Sequence, residues 1–165
     1  MKTDRGKVWL GVSAIVVNSA NEWLVVKKTY SGLKGVWSLP AGFVQEAETI
    51  DEAAIRESKE ETGIDIHIEG IVGFRSGVIR EEISDNMAIM LAKPLDENQP
   101  IQIQEREISC ATWLSPEQLA ASKESSILLQ EIAKDYVEFV TLKKVEDVDP
   151  GDVFGYTSYK LFIFN

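Results

Sequence analysis

The sequence predicts a mixed α/β fold. Three observations carry that prediction. Short segments of alternating apolar residues recur along the chain, each bounded by Gly, Pro, Asn or Asp. Two helices declare themselves through capping signals. No repeat, low-complexity tract or long linker interrupts the 165 residues, so one domain over residues 1–165 is expected, with strands, helices and several hairpins mixed.

The elements follow in chain order. "VWLGVSAIVVNS" from Val8 has strand composition with a loose period of two, "NSANE" is a turn cluster, and "WLVVKK" from Trp23 is a second strand. The pair reads as a hairpin. "SGLKG" from Ser31 is a loop, and "VWSLP" is a short strand stopped by Pro40. A Gly-containing loop then leads into an acidic helix. "DIHIEGIVGF" from Asp65 alternates and predicts a strand; "GVIREEISDN" is a hairpin or a loop; "MAIMLAKPL" from Met87 is apolar enough for a buried strand; "REISCATWL" from Arg106 is another. Ser115, Pro116 and Gln118 form an N-cap, a proline at the first helical position and a capping-box partner, so a helix starts there. An amphipathic helix is predicted over Ile127 to Val140, a turn at "DVDPGD", and a final strand or hairpin arm in "VFGYTSYKLFIF".

Composition removes several function classes. The apolar fraction is 44%, too high for a disordered chain. No run of eighteen apolar residues occurs, so no membrane-spanning helix is expected. The start "MKTDRGKVWLGVSAIVV" lacks the layout of a secretory signal. Cys110 is the only cysteine; no internal disulfide can form, which fits a cytoplasmic setting. The net charge of −10 disfavours duplex nucleic acid as a partner. A small anionic substrate stays open if cations bridge it to the protein.

Much of the acid load lies in "GFVQEAETIDEAAIRESKEETGI", Gly42 to Ile64. Thr49 and Glu52 make a capping box, and Gly63 sits where a left-handed C-terminal cap belongs, so a helix is predicted from Ile50 to Thr62. At about 100° per residue, Ile50, Ala53, Ala54, Glu57, Glu60 and Glu61 share a stripe roughly 120° wide. Like charges three and four apart cost about 0.2–0.5 kcal/mol per pair. Hard divalent ions such as Mg²⁺ or Mn²⁺ would remove that cost, since they favour carboxylate oxygens and substrate phosphates. The bland reading is a solvated charged face. The acids, however, continue an apolar stripe. Ile55 lies nearly opposite, which leaves open whether both helix faces are covered.

These residues resemble the Nudix hydrolase family. Its signature requires a glycine, a glutamate, Arg-Glu, Glu-Glu, a glycine and an apolar residue at fixed spacings. Gly42, Glu48, Arg56, Glu57, Glu60, Glu61, Gly63 and Ile64 fall in that register. Ser58 departs from it, standing where the family has an apolar residue. The resemblance implies an α/β/α sandwich with a mixed curved sheet and a catalytic loop–helix–loop. It implies hydrolysis of a nucleoside diphosphate linked to another group, with Mg²⁺ or Mn²⁺. Glu57, Glu60 and Glu61 become metal ligands, with the Gly42 carbonyl a further one. Glu57 is also the general base. Arg56 pairs with the carboxylates and orients them, and Glu48 is a water-mediated or supporting ligand. A further glutamate is expected downstream, Glu107 first and Glu105 second.

Weaker signals remain. Trp37, Phe74, Tyr30 and Arg75 could stack on a base or a ribose-linked group, with Trp37 the best placed by sequence; core packing or ordinary exposure is the competing reading. His67 reads as a structural histidine and Cys110 as a small core residue. "GVIR" from Gly77 carries none of the extra proline or tyrosine elements that mark some substrate subfamilies. A nucleoside triphosphate or a sugar nucleotide stays open. The competing function is a catalytically silent nucleotide-binding or regulatory module, and the C-terminal "VFGYTSYKLFIF" is a candidate homodimer strand.

Overall fold

The computed structural model describes residues 6–164. The first five residues, where the N-terminal signal reading begins, lie outside them.

The centre is a parallel pair. β1 (Lys7–Val16) runs beside β6 (Ile83–Pro94) in register from Lys7 opposite Ile83 to Val16 opposite Ala92. β4 (Ala41–Phe43) flanks β1 and β5 (Ile66–Ile79) flanks β6, both antiparallel, giving a mixed sheet of order β4-β1-β6-β5. Alternation then divides the core. Val12, Ala14 and Val16 with Ala88, Met90 and Ala92 pack against Ala53 and Ala54 of α1 (Ile50–Thr62). Ile15 with Met87 and Ile89 faces Leu119 of α2 (Pro116–Ala121) and Leu129 and Ala133 of α3 (Ile127–Ala133). The strands are therefore apolar on both faces, as a parallel pair covered on both sides must be. Helices on both faces make the predicted α/β/α sandwich.

The predicted β1–β2 hairpin survives only at its root. Val17 bridges Trp23, and the Asn18 N–H donates to the Glu22 carbonyl at 3.0 Å. Beyond that point β1 already has β4 on one edge and β6 on the other. No edge is left, so β2 (Trp23–Lys28) joins a separate antiparallel sheet with β3 (Trp37–Ser38) and β7 (Ile108–Leu114), in the order β3-β2-β7. "GVIREEISDN" is the hairpin alternative: the Glu82 N–H donates to the Ile79 carbonyl at 3.0 Å, and Arg80 and Glu81 both have positive φ, the turn that matches strand twist.

Three other expectations change. Gly42 lies on strand β4 and not in an irregular loop. Helix α3 ends at Ala133, seven residues short of the predicted Val140, because Tyr136 and Phe139 turn back onto Trp23, with ring centroids 5.2 and 5.5 Å from it. Cys110 is exposed, on the outer face of edge strand β7, and not in the core. In the tail, β8 (Lys143–Val145) and β9 (Leu161–Ile163) pair with each other. Leu142 and Ile71 exchange backbone hydrogen bonds of 2.9 Å, and Phe162 packs on the α1-side core. No helix among the described residues is long and apolar enough to cross a membrane.

Candidate metal and catalytic site

Helix α1 starts and stops where its caps dictate. Thr49 is extended, Glu52 accepts its N–H at 3.0 Å, and the Thr49 hydroxyl donates to Asp51 at 2.6 Å. Gly63 has φ 76° and donates its N–H to the Lys59 carbonyl at 2.9 Å. Fixed ends fix the azimuth of the acids between them. Ser58, the departure from the family pattern, is fully buried, and its hydroxyl donates to the Ile64 carbonyl at 3.1 Å. Ile55 is 38% exposed, so its side of the helix faces solvent.

Glu57 and Glu61, one turn apart, rise against successive residues of β4. A Cβ built on Gly42 would overlap the Glu57 carboxylate, so a glycine is required there by close approach. The Ala41 N–H donates to Glu61 at 3.3 Å. Gly42 sits opposite Val12, between ladder bonds from Ala14 to Pro40 and from Val44 to Leu10. That phase makes Gly42 and Val12 a hydrogen-bonded pair, and the Gly42 carbonyl keeps one further lone pair.

Two cations organise the acids. Arg56 grips Glu48 with two bonds, Nε at 2.7 Å and Nη2 at 3.0 Å. Its Nη1 donates to Glu57 at 2.6 Å and Glu60 at 3.1 Å, and Nη2 reaches the Phe43 carbonyl at 3.1 Å. The Arg56 hydrogen bond holds the Glu48 carboxyl below its usual range, and the pairing raises the guanidinium further. Lys28 is the other cation. Its ammonium donates to Glu61 and to the Ala41 carbonyl, both at 2.8 Å. Glu61 is 2% exposed. Burial pushes its carboxyl up to about 7, with Glu57 adding to the rise and Lys28 and the Ala41 N–H opposing it.

The predicted residues are not gathered equally. Arg56 brings Glu48, Glu57 and Glu60 together, while Glu61 is held apart by Lys28. Glu60 is about half exposed. Among the described residues no three acidic, His or Cys side chains converge on one point. Glu107 lies in the turn before β7; its carbonyl accepts the Thr29 N–H at 2.8 Å, beside the end of β2 that carries Lys28. Glu105 is exposed in the same turn. Arg75 pairs with Asp85 at 2.8 Å and lines a cleft of about 420 Å³ that Ala41 also borders. Trp37 is on β3 with Lys27 over its ring at 4.5 Å, while its neighbours Val36 and Ser38 line the cleft. His67 is exposed on β5. Lys28 escaped the sequence reading, yet a signal existed: it falls in phase with Leu24 and Val26 on a buried strand, where a lysine is costly unless paired.

The model of the NUDIX domain matches residues 7–136. The chain belongs to this family. Residues 137–165 lie beyond the match. Nudix hydrolase 8 of Arabidopsis thaliana is 38% identical over 108 residues, 64% of this chain and 29% of that protein. Phosphatase NudJ of Escherichia coli (strain K12) is 33% identical over 124 residues, 74% of this chain and 80% of that protein. The chain thus spans well under half the length of Nudix hydrolases 8 and 2 of Arabidopsis thaliana, at 29% and 38%. Among solved structures, the MutT NUDIX hydrolase from Burkholderia pseudomallei superposes with a TM-score of 0.67 at 17% identity, over 79% of this chain and 99% of that one. The NUDIX domain of Shewanella oneidensis NrtR, solved with ADP ribose, gives 0.64 at 19% identity, over 79% and 90%. At such identities the likeness shows the fold, and it is the NUDIX fold.

Proposed function

We propose that the chain is a Mg²⁺- or Mn²⁺-dependent hydrolase that cleaves a diphosphate linkage in a nucleoside diphosphate joined to another group, with water attacking phosphorus. One observation carries this reading: Glu57 and Glu61, one helical turn apart, both abut β4, and Gly42 is kept free of a Cβ at that contact. An all-oxygen donor set of this kind suits a hard divalent ion. Glu57, Glu60, Glu61 and the spare lone pair of the Gly42 carbonyl would hold it. When bound, the ion would neutralise the diphosphate and make water a competent nucleophile.

The chain's own residues do the rest. Glu57 accepts the proton of the attacking water at a carboxylate oxygen. Arg56 fixes the orientation of that carboxylate, and Glu48 fixes Arg56 through its two bonds. Lys28 and the Ala41 N–H fix Glu61. Glu107, next to the Lys28 end of β2, is the further acid, ahead of the exposed Glu105. Arg75 is the cationic contact at the cleft, and Trp37 an aromatic one beside it. The reading takes residues 1–165 as one domain in a cytoplasmic setting, supported by Phe162 packing into the α1-side core and by a lone cysteine.

The test is a panel of nucleoside triphosphates and sugar nucleotides, with and without Mg²⁺, followed for release of phosphate or a mononucleotide. Turnover of one member that stops on chelation is expected. No turnover of any member with Mg²⁺ or Mn²⁺ would reject the proposal in favour of a silent binding module.

A further inference from the structure

The sheet order β4-β1-β6-β5 leaves one side of β5 without a neighbouring strand. Among the described residues only Leu142 bonds to that outer edge, at Ile71. Farther along, the hairpin closes with the Glu82 N–H donating to the Ile79 carbonyl at 3.0 Å, and Ile79 stands opposite Ile83. Ile79 therefore turns its backbone groups toward β6. Backbone direction alternates along a strand, so Arg75 and Gly77 also bond inward. Phe74, Ser76 and Val78 point their N–H and C=O groups outward, where no partner among the described residues bonds them. Their side chains are exposed as well, Phe74 at 61% and Val78 at 72%. An apolar edge of this length is a template for another strand unless a bulge, a proline or a charge blunts it. The bulges of β5 lie earlier, between Ile68 and Gly73. No proline falls between Gly73 and Ile79, and Arg75 is tied to Asp85.

The residues on this edge match their own reverse. Two copies set edge to edge, antiparallel about a two-fold axis at Ser76, place Ser76 opposite Ser76 of the partner subunit. Phe74 then faces Val78 of the partner subunit, twice by symmetry. All of these residues bond outward, so each facing pair exchanges two backbone hydrogen bonds. An aromatic side chain opposite a β-branched one also stabilises a sheet. The other face is matched in charge. Arg75 falls opposite Gly77 of the partner subunit, and open space surrounds the missing Cβ of that glycine. Behind Gly77 in the same row stands Asp85 of β6. Arg75, already 2.8 Å from its own Asp85, can reach across Gly77 to Asp85 of the partner subunit, so that two arginines share two aspartates. An axis one residue earlier would set Arg75 against Arg75, like charges directly opposite. An axis one residue later would leave Phe74 opposite the hairpin turn.

We propose that this edge is a homodimer interface, at which two chains join their β4-β1-β6-β5 sheets across β5 into one continuous sheet. The contact is isologous, as a two-fold dimer requires, and its main-chain pairing is strand addition by a second copy. The C-terminal strand is already engaged within the chain: β9 pairs with β8, and Phe162 packs on the α1-side core. Because Arg75 also lines the cleft beside Ala41, the seam runs beside the cleft of each protomer. The inference stands without the hydrolase reading.

The test is sedimentation equilibrium of the full chain without added metal, from about 1 µM to about 1 mM, a range that spans modest affinities. The mass is expected to rise with concentration toward twice the 18.4 kDa of one chain. Ser76→Pro removes an N–H that points outward and leaves the ladder to β6 intact, since proline is tolerated at a sheet edge. It is expected to weaken the dimer at least about tenfold, the worth of one hydrogen bond or more. Its melting temperature should match wild type at a dilution where wild type is monomeric. Val78→Lys, which sets a charge against Phe74 of the partner subunit, is expected to weaken the dimer similarly. Ser76→Cys combined with Cys110→Ser reads the register: paired on the axis, the two sulfurs come within disulfide reach, and oxidation should give a covalent dimer. A mass of 18.4 kDa at every concentration would overturn the proposal. So would a dimer that Ser76→Pro and Val78→Lys leave intact, the result if another surface joins the chains. Should Ser76→Pro fail to fold, Val78→Lys and the cysteine variant decide, and a dimer without the crosslink rejects this interface.

Discussion

Glu57 and Glu61 are the same residue type, on the same helix face, four residues apart, yet they live in different electrostatic regimes. Glu57 shares Arg56 with two other acids at a partly solvated edge, where its side chain is 12% exposed and that of Arg56 21%. Glu61 is 2% exposed and answers to one ammonium, Lys28, itself 7% exposed. Where water reaches, a charge can lose a partner at little cost to folding. Where it does not, the pair stands or falls together. On the proposed reading both carboxylates hold the ion; Glu57 is also the proton acceptor, and Glu61 also ties the helix to β2 and β4.

The sharpest division comes from Glu57→Gln. It keeps shape and removes the proton acceptor. Turnover of the cleaved substrate is expected to fall on the order of 10²–10⁴-fold, while the melting temperature moves little, because Glu48 still grips Arg56. Steady-state kinetics beside thermal melts measure both. A variant that unfolds, or turns over normally, would erase the proposed division of labour.

Next in size is Lys28→Met. It leaves the Glu61 carboxylate buried without its cation, which is expected to cost about 3–5 kcal/mol. Denaturant unfolding should show it as a lower midpoint with little change in slope. Adding Glu61→Leu to Lys28→Met removes the orphaned charge and should recover most of the loss, since packed apolar pairs often replace buried ion pairs without penalty. A double variant as unstable as Lys28→Met alone would mean that packing, and not charge, governs this end of the helix.

The same contrast explains what the sequence disclosed. The span of α1 was readable because its signals are local: Thr49, Glu52 and Gly63 set its ends. The box acids were readable for the same reason, through spacing on one helix. Lys28 was hidden because its partner is 33 residues away. The fate of the β1–β2 hairpin was hidden because it depends on which strands claim the edges of β1. The early end of α3 depends on Tyr136 and Phe139 meeting Trp23. The cleft beside Ala41 joins residues 36, 38 and 75, a juxtaposition that only the folded sheet creates.

Gly42→Ala tests the space between the two regimes. Its new Cβ meets the far end of the Glu57 side chain and not backbone, so Glu57 can move aside. The displacement should lower turnover on the order of 10²-fold, as a misplacement of about 1 Å does. Stability should fall by only about 1–3 kcal/mol, the usual cost of crowding. Because the Lys28–Glu61 pair lies one residue along β4, it should stay intact. A loss of stability matching Lys28→Met would show that the two carboxylates are mechanically coupled.

Glu60→Gln carries the smallest expected effect. Glu60 is about half exposed and makes one bond to Arg56 at 3.1 Å, four residues back along the helix. Arg56 keeps Glu48, Glu57 and the Phe43 carbonyl without it. Exposed pairs of this spacing are worth about 0.3–0.5 kcal/mol, so the melting midpoint should barely move. The metal requirement should move more: if Glu60 is an ion ligand, the Mg²⁺ concentration for half-maximal turnover rises while the fold is unchanged. A titration that overlays wild type would remove Glu60 from the ligand set and leave Glu57 and Glu61 to hold the ion. A large loss of stability would mean instead that Arg56 needs all three acids, and the tolerant regime at that end of the helix would not exist.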